Sequence, residues 1–187
     1  MGQVLIENSE GVLRHYRRLV SEGKVSFNAE QLKIVNSLQE LDEKLDLYKE
    51  QMGQSGWKAR LKLGKFKQPA PKGLYIWGGV GCGKTIVMDL FFKSSNVPGK
   101  RYVHFHIFMQ EVHKRIHLFR EVQNAGNLKK NSDPIVALAR IITDQAWLIC
   151  FDEFNVTDIA DAMILGRLFE ALFNRGAVVV TTSNRHP

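Results

Sequence analysis

An α/β fold is predicted, a parallel sheet flanked by helices and preceded by a small helical region. Three observations predict it. From residue 72 onward, short apolar runs alternate with stretches of helical spacing, which implies parallel strands joined by crossover helices. A glycine-rich run, Gly78-Gly79-Val80-Gly81-Cys82-Gly83-Lys84-Thr85, stands between one such strand and one such helix. Residues 1–57 carry helical spacing and no strand signal.

In the N-terminal region, Asn28 followed three residues later by Gln31 resembles a capping box. Leu38, Leu41, Leu45, Tyr48 and Met52 then recur at steps of three and four, one face of a helix. The stripe lasts barely two heptads, so it is expected to pack on the core rather than pair with another chain. Residues 58–72 hold Lys58, Arg60, Lys62, Lys65, Lys67 and Lys72 with no acid. Such a stretch could grip nucleic acid or an anionic surface. Pro69 and Pro71 at its end, and only Trp57 and Phe66 as aromatics, favour a solvated linker instead. The expected organisation is therefore 1–57 helical, 58–72 basic linker and 73–187 core.

Within the core, Leu74-Tyr75-Ile76-Trp77 reads as a short buried strand, followed by the glycine-rich run and a helix to about residue 95. Residues 101–106 read as the second strand and 108–121 as a helix. Residues 123–133 are polar and loop-like, and Pro134 opens another helix. Residues 147–151 form the third strand. Thr157 is the expected cap of a helix reaching Asn174, with Asp158 and Asp161 early, where the dipole favours acids. Gly176 ends that helix, and 177–182 form the fourth strand.

The chain has 187 residues, 44% hydrophobic and 24% charged, with a net charge of +7, an ordinary globular composition. No apolar run approaches the length of a bilayer span. The first ten residues resemble neither a secretory signal nor an Arg-rich transit peptide. Cys82 and Cys150 fall in a loop and a buried strand, so no disulfide is expected and a reducing compartment fits.

The glycine-rich run fits G-x-x-x-x-G-K-[ST], the phosphate-binding loop. A bend of this kind collects backbone N–H groups at the positive end of a helix dipole. Gly78, Gly79, Val80, Gly81, Cys82, Gly83, Lys84 and Thr85 are therefore the candidate phosphate cradle. Lys84 is expected to reach the outer phosphates, and the Thr85 hydroxyl to ligate Mg²⁺. Asp152 and Glu153 emerge at the carboxyl end of the strand Leu148-Ile149-Cys150-Phe151, where ligands of open α/β sheets bind. Asp152 is the expected Mg²⁺ partner, and Glu153 the base that orients and deprotonates the attacking water. One extra strand separates the Lys84 segment from Asp152, the layout of ATPases whose first and third strands flank a fourth. That fourth strand ends Thr181-Thr182-Ser183-Asn184. The Asn184 amide both donates and accepts, so it can bond the γ-phosphate and the water together.

These residues carry a family resemblance. Residues 73–85, Val103-His104-Phe105-His106 with Phe108, Met109, Val112 and His113, Phe151-Asp152-Glu153-Phe154 with residues 156–165, and Thr182-Ser183-Asn184-Arg185 resemble the ZapE family of AAA+ ATPases. The resemblance is close over residues 70–187 and loose before them. It implies a P-loop NTPase fold of the AAA+/ASCE type. It further implies ATP and Mg²⁺ as ligands, and hydrolysis coupled to remodelling of protein partners, either in bacterial cell division or, in mitochondrial relatives, in protein quality control. A homo-oligomer is implied too, and for bacterial members work at the inner-membrane face without a transmembrane segment. The lack of a presequence favours bacterial cytoplasm over the mitochondrial matrix. Three departures stand out. Cys82 replaces an expected Arg or Thr, and its side chain should point away from phosphate. Asn155 replaces Gln or His. The chain stops at Pro187, before the family's fifth strand, helical lid and arginine finger, so a truncated form is expected. Arg185, directly after Asn184, is assigned a structural role rather than that of a finger.

His104 with His106, and His113 with His117, have spacings that could hold a metal, if strand and helix converged. No Cys joins them, and packed histidines are the simpler expectation, with His104 or His106 lining a cleft. Two other functions are carried forward: a nucleotide-dependent binding switch with little turnover, and a nucleic-acid-associated ATPase using the basic stretch. Neither a GTPase base-reading motif nor an ABC-type signature is present.

Overall fold

The computed structural model describes residues 10–54, 69–126 and 132–186. Among them, β1 Leu74–Trp77, β2 Lys100–His104, β3 Leu148–Asp152 and β4 Val178–Ser183 form one sheet. Its order is β1-β4-β3-β2, with every neighbouring pair parallel. The described helices are α1 Val12–Ser21, α2 Ala29–Gln54, α3 Lys84–Ser94, α4 Phe105–Asn124, α5 Pro134–Gln145 and α6 Ile159–Asn174. The fourth strand does lie between the first and third.

The period-two alternation of strands sorts the core into two layers. Leu148, Cys150, Val178, Val180 and Ile76 join a cluster with Val12 and Tyr16 of α1, Val35, Leu38, Leu41, Leu45 and Tyr48 of α2, and Val87, Met88 and Phe91 of α3. Ile149, Phe151 and Val179 face the other way, into α4, α5 and α6. All five residues of β3 are buried, as a central parallel strand requires. The N-terminal helices thus share a core with α3 and the face of the sheet it covers. Tyr48 adds a hydrogen bond of 3.2 Å from its hydroxyl to the carbonyl of Gly176. The Met52 side chain, last of the predicted stripe, lies outside the described residues, as do Lys58, Arg60, Lys62, Lys65 and Lys67 and residues 127–131 of the predicted loop.

Four sequence expectations need correction. The strand at 74–77 is not buried throughout: Ile76 is, but Trp77 is 50% exposed, because β1 is an edge strand of the described sheet. The second strand stops at His104, not His106. His104 pairs with Asp152, where β3 itself ends, so the chain turns there into α4. The turn places Phe105, Phe108, Met109, Val112 and Ile116 at helical spacing on the core. His106 therefore sits in a helix and does not share a strand face with His104. The cap of α6 is Asp158, whose carboxylate accepts the Ala160 N–H at 2.6 Å, one residue after Thr157. Finally, Gln31 does not return to Asn28, and the capping box is half formed. Asn28 Oδ1 accepts the N–H groups of Glu30 at 2.8 Å and Gln31 at 3.2 Å. Pro134 does open α5, behind the Asp133 cap. Gly176 follows α6 with φ +80°, the left-handed exit that suits glycine.

Candidate active site

The glycine-rich loop joins β1 to α3 across the carboxyl edge of the sheet. The Gly78 N–H donates to the carbonyl of Ser183 at 3.2 Å, so the first loop residue is tied to the end of β4. Gly81 and Gly83 both take φ +80°, a backbone that other residues adopt only at a cost. A Cβ at Gly81 would meet open space, whereas one at Gly83 would run into the Gln31 side chain. Lys84, the first residue of α3, is buried. Its ammonium bridges the carbonyls of Gly78 at 2.9 Å and Gly79 at 2.7 Å. The Cys82 Sγ lies 3.5 Å from the same Nζ.

The even-numbered residues of β3 face α3, which is why Asp152 meets Thr85. Thr85 Oγ1 is 3.3 Å from each Asp152 carboxylate oxygen. The Asp152 side chain is 3% exposed, yet its bonded partners are neutral donors. They are Thr85, Tyr102 at 3.0 Å, Thr182 through a short contact, and the Glu153 N–H at 3.1 Å. His104 Nδ1 stands at 3.9 Å. Burial first, then the hydrogen bond and charge of Asp152, hold the Tyr102 phenol above its ordinary range, so it remains a protonated donor. A buried carboxylate ringed by hydroxyls, one of them in the first turn of α3 just after the glycine-rich loop, suits Mg²⁺. That ion prefers one or two carboxylates plus substrate phosphates to an all-protein cage.

Glu153 has φ +56°, the only positive value at a non-glycine among the described residues. Such a conformation costs on the order of 1 kcal/mol and needs support. The support comes from β4. Thr182 Oγ1 accepts the Glu153 N–H at 3.1 Å, the Thr182 carbonyl accepts the Phe154 N–H at 2.7 Å, and Ser183 Oγ donates to the Phe154 carbonyl at 2.7 Å. The turn carries the Glu153 side chain out of the core to an exposed position. Asn184, also exposed, follows the Ser183 carbonyl that holds Gly78, so it borders the start of the loop. The Arg185 backbone is fastened by Tyr75 Oη at 3.0 Å and by Ser183 Oγ at 3.1 Å.

The histidines disperse. His113 Nε2 pairs with Asp161 at 2.6 Å and His117 Nδ1 approaches Glu121 at 3.6 Å. The His104 and His106 rings stack with centroids 6.0 Å apart. Among the described residues no group of three or more His, Cys, Asp and Glu is placed to hold a metal. Cys82 and Cys150 are both free thiols, and burial pushes Cys150 up to about 12.

Sequence reasoning missed Tyr102 and Thr182. Strand periodicity could have found both. Tyr102 is opposite Cys150 in register, on the face of Asp152, and Thr182 is two residues beyond the buried Val180. Gln31 was noticed only as half of a cap.

Comparison with known proteins bears on this arrangement. A family model described as AFG1-like ATPase matches residues 12–187. The "Lactation elevated protein 1 homolog B" of Danio rerio is 50% identical over 123 residues, 65% of this chain and 24% of that protein. The "Cell division protein ZapE" of Escherichia coli K12 is 44% identical over 121 residues, 65% of this chain and 30% of that protein. The chain thus matches about a quarter to a third of the length of these relatives. Domain III of the Thermotoga maritima replication initiation protein DnaA aligns at 20% identity and a TM-score of 0.42, over 69% of this chain and 50% of that one. With the family model spanning nearly all of it, this chain belongs to the AFG1-like ATPase family.

Proposed function

We propose that the chain binds ATP with Mg²⁺ in the cup formed by residues 78–85, and that the protein hydrolyses it to remodel protein partners. The observation that carries this reading is the meeting of Thr85 with Asp152, Oγ1 3.3 Å from both carboxylate oxygens, at the foot of the phosphate loop. Lys84 exchanges its bonds to the Gly78 and Gly79 carbonyls for bonds to the outer phosphates, a stronger charge-assisted pairing. Thr85 and Asp152 would hold Mg²⁺, which when bound would supply electrostatic stabilisation of the phosphoryl group. Glu153 accepts a proton from the attacking water, and Asn184 orients that water against the terminal phosphate. The left-handed turn at Glu153 holds the base out of the core while its backbone stays locked to Asp152 and Thr182.

The remodelling role draws on the relatives. One is named for cell division, and the family resemblance adds protein quality control. Work as a homo-oligomer at the bacterial inner-membrane face, in the cytoplasm, fits this reading. No helix among the described residues is long and apolar enough to cross a membrane. The test is steady-state phosphate release by the purified chain and by Glu153→Gln. Turnover in the parent that falls by about 10²-fold or more in the variant, with ATP still bound, supports hydrolysis with Glu153 as base. Tight ATP binding without turnover in the parent would instead favour a nucleotide-dependent switch.

A further inference from the structure

Among the described residues, a side-chain hydrogen bond ties the N-terminal helices to the phosphate loop. Gln31, in the first turn of α2, donates from Nε2 to the carbonyl of Cys82 at 2.9 Å. Its Oε1 accepts from the Tyr16 hydroxyl of α1 at 3.3 Å. Tyr16 is itself 1% exposed and is bracketed by Asn28, whose N–H donates to its oxygen at 3.3 Å. Gln31 is 9% exposed, and its amide fills the space that a side chain at Gly83 would need.

We infer that Gln31 is a positioning residue for phosphate binding, acting through the Cys82–Gly83 peptide. This rests on the reading of residues 78–85 as the phosphate cradle. The peptide is trans, as are all others described, so its carbonyl and its N–H point in opposite directions. Fixing the Cys82 carbonyl against Gln31 turns the Gly83 N–H to the side away from α2. Gly83 is the N-cap of α3, where unpaired amides and the positive end of the dipole favour an anion. Gly83 takes φ +80° and, lacking a Cβ, leaves the Cys82–Gly83 peptide more than one accessible orientation, of which the Gln31 bond selects one. The Cys82 carbonyl can only accept, so Nε2 faces the loop, and Oε1 is left toward the Tyr16 hydroxyl, which is shared with the Asn28 carbonyl at 3.4 Å. Docking of α1 and α2 on the core is thereby read out at a single loop peptide.

The test compares mant-ADP·Mg²⁺ and mant-ATP·Mg²⁺ binding to the parent, Gln31→Leu, Gln31→Glu, Gln39→Leu and Lys84→Ala, with melting temperatures measured alongside. Gln39 is the internal control. It lies on the same helix and accepts the Leu13 N–H of α1 at 3.2 Å, but its hydrogen bonds do not reach the loop. Gln31→Leu removes the donor, and Gln31→Glu keeps an acceptor for Tyr16 while losing the donor to Cys82, so either alone suffices if the other fails to fold. The expected result is about a tenfold loss of affinity for both nucleotides in each Gln31 variant, with turnover per bound ATP retained and Gln39→Leu near the parent. Parent-like affinity in a folded Gln31 variant overturns the assignment while leaving the nucleotide site intact. So does an equal loss in Gln39→Leu, which would make the effect one of helix docking. A parent that binds neither nucleotide, indistinguishable from Lys84→Ala, removes both this inference and the reading beneath it.

Discussion

Thr182 links the two acidic residues of the site: its hydroxyl donates to Asp152 Oδ1 and accepts the Glu153 N–H at 3.1 Å. A single side chain from β4 therefore orients the carboxylate assigned to Mg²⁺ and supports the left-handed backbone of the residue assigned to the water. Thr182→Val keeps the shape and removes both bonds, leaving a buried carboxylate oxygen with fewer donors. The variant should lose about 1–3 kcal/mol of stability in urea unfolding. It should lose turnover beyond what its ATP affinity explains, while Thr182→Ser should retain most of both.

Lys84→Ala removes the ammonium that bridges Gly78 and Gly79. Loss of a charge-assisted bond to phosphate corresponds to about 10- to 100-fold in ATP affinity, measurable by fluorescence titration. The melting temperature without nucleotide should move little, since the bridged carbonyls lie in an open loop.

Asp42 gives a pH-dependent prediction. It is 7% exposed, and among the described residues its Oδ1 has no hydrogen-bond partner. Burial raises its carboxyl above the usual range, with the neighbouring Asp46 acting the same way, while the Ser95 hydroxyl, Lys49 and Lys100 pull it down. A raised carboxyl means the folded state holds the proton more tightly than the unfolded state. The ionised form is then a penalty at neutral pH, and stability recovers as pH falls through the folded value. Asp42→Asn should therefore be more stable than the parent at pH 7. The advantage should shrink as pH falls into the ordinary carboxylate range, as followed by thermal melting across pH.

Much of this site was legible because its chemistry needs specific residues in a row. Gly78 to Thr85 and the pair Asp152–Glu153 announce themselves, and a buried apolar strand fixes the direction in which the acids emerge. The N-terminal stripe was legible for the same reason, since Leu38, Leu41, Leu45 and Tyr48 share one helical face. What stayed hidden depends on tertiary register. Tyr102 reaches Asp152 only because β2 pairs with β3 in that register. Gln31 satisfied a local capping pattern and then bonded 51 residues away, a partner that sequence spacing cannot reveal. The end of β2 was misplaced because His106 continues the alternation, while the neighbouring strand has already ended at Asp152.

The central claim is that Thr85 and Asp152 share one Mg²⁺ with a bound triphosphate. Calorimetric titration of ATP with and without Mg²⁺, on the parent and on Asp152→Asn, tests it most directly. The account predicts that Mg²⁺ tightens ATP binding to the parent by about tenfold or more and does little for the variant. An equal gain from Mg²⁺ in both proteins would contradict it.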